Sequence, residues 1–188
     1  MNKSSGLFIS LLLLALVPAA QPVVLQGGDQ DKQDFSDIRN FLRINDKICT
    51  GGQPTLDDLA RLKADGVKAI INLRQASEMN LAEETAKANE LGLRYIHIPV
   101  NGADLKPESA DEFLKAMADP ANRPVFIHCT TANRVGAFWM IYRVLIDGWK
   151  PDDAEAEARK VGMHTPALRE FALEYIRAHE KKPEKKQP

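Results

Sequence analysis

Short runs of β-branched and aromatic residues alternate along this chain with segments whose apolar positions recur every three or four residues. Val67 to Leu73 (VKAIINL), Leu93 to Val100 and Pro124 to Ile127 have the length and composition of buried strands, and Lys47-Ile48-Cys49 reads as a shorter one. Between them lie helical patterns. Leu56 to Ala64 carries Leu56, Leu59, Ala60 and Leu62 on one face, with Thr55 as N-cap, Asp57 and Asp58 in the first turn and Gly66 as the stop. Glu78 to Leu91 reads as a second helix, capped by Ser77 and closed by Gly92. A third begins at Pro107, presents Phe113, Leu114 and Met117, and ends at Asp119-Pro120. After the Pro124 run the pattern is helical throughout: Val135 to Ile146, Pro151 to Val161 and Pro166 to Ala178. The spacing of Phe35, Ile38, Phe41 and Leu42 predicts a short amphipathic helix or turn, and Thr50 to Thr55 a tight glycine turn.

Strands that alternate with helices build parallel β–α–β units. The pattern therefore predicts one α/β domain over residues 35–179, with a central, mostly parallel sheet of four to five strands, flanking helices and a helical C-terminal part. The first 20 residues have the order of a secretory signal: Lys3, an apolar run from Leu7 to Val17, then Ala19 and Ala20. Residues 21–34 read as a linker and 180–188 as a disordered tail. The expected product is exported, periplasmic or secreted, with no stable membrane insertion once the signal is removed. With 25 Lys and Arg against 26 Asp and Glu, the chain lacks the basic excess that nonspecific nucleic-acid binding needs.

Ligands of such sheets bind beyond the carboxyl ends of the strands. Arg74, Asn101 to Asp104 and His128 to Arg134 all sit just past predicted strand ends. The last of these is the most suggestive. An apolar strand ends at His128-Cys129, a polar turn follows (Thr130, Thr131, Ala132, Asn133, Arg134), and a helix begins. Backbone amides and the helix N-terminus make such a turn an anion cradle, a thiolate at its mouth is a nucleophile, and Arg134 offers a planar fork for an oxyanion. His128 reads as a support of the loop, because neighbours on a strand face opposite ways. Arg74 is a second candidate anion contact, and Asp104 a candidate general acid or a solvated turn residue. Cys49 and Cys129 leave three readings open: a structural disulfide, a reversible one in which Cys49 resolves an oxidised Cys129, or free thiols. The histidines show no metal-ligand spacing, and no nucleotide loop is present, so neither a metal nor a cofactor is expected.

The His128-Cys129 pair followed by Arg134 resembles the signature of the cysteine-dependent tyrosine and dual-specificity phosphatases. The turn Thr50-Gly51-Gly52-Gln53-Pro54-Thr55, the segment from Asp65 to Arg74 and His97-Ile98-Pro99-Val100 resemble elements of the bacterial phosphatase-like family associated with β-lactamase-hydrolase-like proteins. The resemblance implies phosphate-monoester hydrolysis through a cysteinyl-phosphate on Cys129, a phosphorylated protein or small molecule as substrate, and no cofactor. It also implies oxyanion binding by Arg134 and the amides of Thr130 to Arg134, and Asp104 as acid. Two positions depart from the phosphatase signature. Four residues separate Cys129 from Arg134 instead of five, a shorter loop found often in the bacterial phosphatase-like family it resembles and also in rhodanese-type sulfurtransferases, and Val135 stands where Ser or Thr is usual. A sulfurtransferase carrying a persulfide on Cys129, or a non-catalytic anion-binding module, are the alternatives.

Overall fold

The computed structural model describes residues 34–180. The signal-like segment, all of the linker before Asp34 and the tail beyond Glu180 lie outside the described residues. The strands are β1 (Leu42–Asn45), β2 (Ile48–Gly51), β3 (Ala69–Asn72), β4 (Arg94–His97) and β5 (Val125–His128). They form one sheet in the order β1-β2-β5-β3-β4, parallel except for β1, which runs antiparallel to β2 at one edge.

Among the described residues six α-helices cover the sheet: α1 (Leu56–Ala64), α2 (Leu81–Glu90), α3 (Pro107–Ala118), α4 (Asn133–Leu145), α5 (Pro151–Val161) and α6 (Pro166–His179). Alternation along the strands divides the apolar residues into two cores. On one face Ile48, Ile71, Val125 and Ile127 meet α3, α4, α5 and α6; on the other Cys49, Ile70 and Phe126 meet α1 and α2. α4 lies deepest. Val135, Gly136, Ala137, Phe138, Trp139, Met140, Ile141 and Val144 are all buried, so this helix is a core element wrapped nearly all round.

The expected architecture is the observed one, with local corrections. The Phe35–Ile44 segment forms turns and then β1, not an amphipathic helix, and the apolar side chains of Phe35 and Ile38 cap the α1–α2 core instead. β2 continues through Thr50 to Gly51, which shortens the predicted glycine turn. The helix expected from Glu78 starts only at Leu81: Ala76–Glu78 is a single 3-10 turn, and Asn80 rather than Ser77 caps α2 by accepting the Glu83 amide. α1 is closed by the predicted Thr55 cap, doubled by Asp58, whose carboxylate receives the Thr55 amide.

Register places the strand ends in a row. Gly51, His128, Asn72 and His97 are successive partners across β2, β5, β3 and β4. The segments that follow them therefore leave the sheet from one rim.

Candidate active site

Cys129 follows β5 directly and is almost wholly buried, at 1% exposure. The turn after it is pinned on both flanks. On one, Thr131 bridges to Gly52, the Gln53 amide donates to Thr130 O at 3.3 Å, and Asn40 Nδ2 donates to Thr131 O at 2.9 Å. On the other, Gly162, between α5 and α6, approaches so closely that a Cβ there would lie 3.1 Å from Thr131 O; its φ of 138° suits glycine. Ala132 occupies the left-handed region at φ 62° and turns the chain into α4. Asn133, the first residue of α4, turns its side chain away from the cradle: its oxygen accepts the amides of His164 and Thr165 at 2.9 and 3.3 Å.

Arg134 is held by a carboxylate that the sequence reading passed over. Glu78 meets its two terminal nitrogens with its two oxygens, both at 2.7 Å. Val100 O accepts from Nη1 at 2.9 Å, and Nη2 donates to Thr130 Oγ1 at 3.0 Å. Thr130 Oγ1 donates in turn to Glu78 at 3.1 Å, and the Gln75 amide donates to the same carboxylate at 2.9 Å. Above all the Arg134 contact holds the Glu78 carboxyl down at about 2. Burial works against the Arg134 charge, but Glu78 and the nearby Cys129 side chain more than restore it.

A family model described as PTP-NADK, a DSP-PTPase phosphatase fused to NAD+ kinase, matches residues 15–173. The chain belongs to this family. It is 32% identical over 108 residues to a β-lactamase hydrolase-like protein of Agrobacterium fabrum, a match that takes in 55% of this chain and 25% of that relative's length. Among solved structures, the core catalytic domain of the PP-IP phosphatase SIW14 of Saccharomyces cerevisiae is 19% identical, with a TM-score of 0.63 over 73% of this chain and 86% of that one. TpbA of Pseudomonas aeruginosa, solved with phosphotyrosine, is also 19% identical, with a TM-score of 0.58 over 75% and 85% of the two chains. At these identities the two structures speak for the fold.

Within this DSP-PTPase frame the other expected site residues divide. His128 is fully buried beneath the loop and stacks on Phe126, with ring centroids 5.7 Å apart. Its Nε2 lies 2.9 Å from Glu84 Oε1, at ion-pair distance but without the alignment of a linear hydrogen bond. Arg74 turns its terminal nitrogens to the protein: Nη1 donates to Gln53 Oε1 at 2.7 Å and Nη2 to the Glu78 carbonyl. Asp104 sits on the loop after β4, 61% exposed, paired with Lys106 at 2.8 Å. Cys49 is the clearest correction. It pairs with Phe126 in the β2–β5 register and faces the α1–α2 core, whereas Cys129 belongs to the opposite core. Both thiols are free, and the sheet stands between them. Burial pushes the Cys49 thiol up to about 12, which leaves it unreactive.

Glu78 and Glu84 escaped the sequence reading because both lie in a polar stretch with no motif. Glu84 had one faint signal: it shares a helical face with Ala88, the other buried residue of α2. Among the described residues, no group of three or more His, Cys, Asp or Glu side chains is placed to hold a metal ion, and no helix is long and apolar enough to cross a membrane.

Proposed function

We propose that this chain is an exported cysteine-dependent phosphatase that hydrolyses phosphate monoesters, phosphotyrosine among them. Cys129 Sγ, as the thiolate, bonds to phosphorus while the bond to the ester oxygen breaks, and that oxygen takes a proton from an acid. Water then adds to phosphorus and returns a proton to the conjugate base of that acid, the sulfur–phosphorus bond breaks to restore the thiolate, and inorganic phosphate leaves. Arg134 balances the phosphoryl oxygens, the amides of Thr130, Thr131, Ala132 and Asn133 surround them, and the N-terminus of α4 adds partial positive charge. Asp104 is assigned the acid role, for which it leaves Lys106. His128 supports the loop from below.

The observation that carries this reading is the placement of Arg134 at the start of α4, just past Cys129, braced there by Glu78, Val100 and Thr130. Family membership and the phosphotyrosine bound to TpbA support an aryl phosphate as the first substrate to try. The purified chain is expected to release phosphate from an aryl phosphate and from a phosphotyrosine peptide, and Cys129→Ser to release none. A parent protein without release would sink the reading.

The four-residue spacing of Cys129 and Arg134 favours one second reading, sulfur transfer through a Cys129 persulfide. The same preparation, offered thiosulfate and a thiol acceptor, separates the two. Export is tested by cell fractionation with N-terminal sequencing, where a cytoplasmic protein with residues 1–20 intact overturns it.

A further inference from the structure

α2 is polar over most of its surface, yet Glu84 points inward and is 3% exposed. The proposed chemistry does not use it. Its carboxylate is nevertheless the meeting point of two chains of contacts that start at opposite ends of the catalytic turn. Oε1 faces His128 Nε2 at 2.9 Å and accepts from the Tyr95 hydroxyl at 2.9 Å, and Tyr95 in turn accepts from Asn72 Nδ2 at 2.7 Å. His128 is the residue before Cys129. The second oxygen accepts from Gln53 Nε2 at 2.5 Å. Gln53 Oε1 receives Arg74, Arg74 holds the Glu78 carbonyl, and the Glu78 carboxylate clamps Arg134.

A carboxylate this deep persists as an anion only when donors surround it. Here burial alone would raise its pKa, but His128, Gln53 and Tyr95 together hold it below the usual carboxylate range. These partners come from three separate places: His128 from β5 at ion-pair distance, and the donors Gln53 and Tyr95 from the turn after β2 and from β4. Glu84 thereby links the strand that ends at the nucleophile to the loops that aim the arginine.

We propose that Glu84 is a positioning residue with two arms: through His128 it fixes the strand end that presents Cys129, and through Gln53 and Arg74 it fixes the Glu78 clamp on Arg134. The proposal rests on the phosphatase reading for its consequence, but its geometry concerns the thiol and the guanidinium alone. The two arms make separable predictions. Loss of the hub disturbs both nucleophile and oxyanion site, and loss of Gln53 disturbs the oxyanion site only.

The experiment uses the full chain in three forms: parent, Glu84→Gln and Gln53→Ala. Three quantities are read: the alkylation rate of Cys129 by iodoacetamide at fixed pH, located by peptide mass, the dissociation constant of inorganic phosphate, and the melting temperature. Glu84→Gln is expected to slow alkylation and weaken phosphate binding by about fivefold or more each, and Gln53→Ala to weaken phosphate by about threefold while alkylation stays within about twofold of the parent. Parent-like values of both readouts in Glu84→Gln overturn the proposal. So does a Gln53→Ala protein in which alkylation and phosphate affinity change together with a falling melting temperature, since that marks loosened packing and not two arms. If Glu84→Gln does not fold, the split in Gln53→Ala decides. A parent that neither binds phosphate nor releases it fails the phosphatase reading, while the alkylation rates still judge Glu84.

Discussion

Arg134 turns both of its terminal nitrogens to the protein. Its terminal nitrogens meet Glu78, Val100 and Thr130, so the guanidinium is oriented before any ligand arrives. Hydrogen bonds to charged groups contribute about 1.5–3 kcal/mol, which corresponds to about 10–100-fold in a rate or a binding constant. Glu78→Gln is accordingly expected to lower kcat/KM for an aryl phosphate by about tenfold or more, with the larger share in phosphate affinity. The pair also has a pH signature. The Glu78 carboxyl is depressed from its ordinary 4.5 to about 2, chiefly by Arg134. A depressed carboxyl stabilises the fold above its unfolded value, and that contribution is lost as the pH falls from about 4.5 towards 2. Melting curves of parent and Glu78→Gln should differ above pH 5 and converge through that window. Asp104 yields a different test. Asp104→Asn should slow turnover most for substrates with poor leaving groups, and equal slowing across a leaving-group series removes it from proton transfer.

At the scale of elements, α4 depends on a contact that only a missing side chain permits. A Cβ on Gly136 would lie 2.6 Å from Ala158 O and 2.8 Å from the Met163 amide nitrogen. Gly136→Ala should therefore destabilise the protein by about 1–3 kcal/mol, read as a lower denaturant midpoint, through displacement of α5 from α4. Much of this level was legible beforehand. α1 and α5 have the predicted bounds, since a capping Thr55 and a leading Pro151 mark their starts. β1 was not legible, because Leu42–Asn45 is too short to show alternation and Phe35, Ile38 and Phe41 mimic a helical face. The start of α2 was misplaced for a related reason: Ser77 and Asn80 are both good caps, and the choice between them was made by Glu78 turning to Arg134. Cys129 and Arg134, the proposed nucleophile and its arginine, lie close together in sequence and were legible as a pair. Their supports lie up to 56 residues away, joined only by the folding of the sheet.

At the scale of the whole molecule, the sheet separates the chain into two chemical compartments. Cys129 follows β5 at the rim end of the sheet on the α4 side, and Cys49 is shut in the α1–α2 core with its thiol raised to about 12. Mild oxidation of the intact protein is expected to modify Cys129 and leave Cys49 reduced, with no bond between them on non-reducing peptide mapping. A Cys49–Cys129 peptide obtained from folded protein would mean that the strands separate in solution.

Gly136 and the encircled burial of α4 bear on how the length of the catalytic turn can vary through descent. Each residue added to a helix advances its phase by about 100°. A fifth residue between Cys129 and Arg134, if passed on to α4, would swing Gly136 off Ala158 and carry polar positions into both neighbouring helices. No face of α4 tolerates that rotation. Insertions and deletions in this turn must therefore be absorbed as a bulge before Asn133, with the helix unmoved, and the shape of the anion cradle changes while the scaffold keeps its registration.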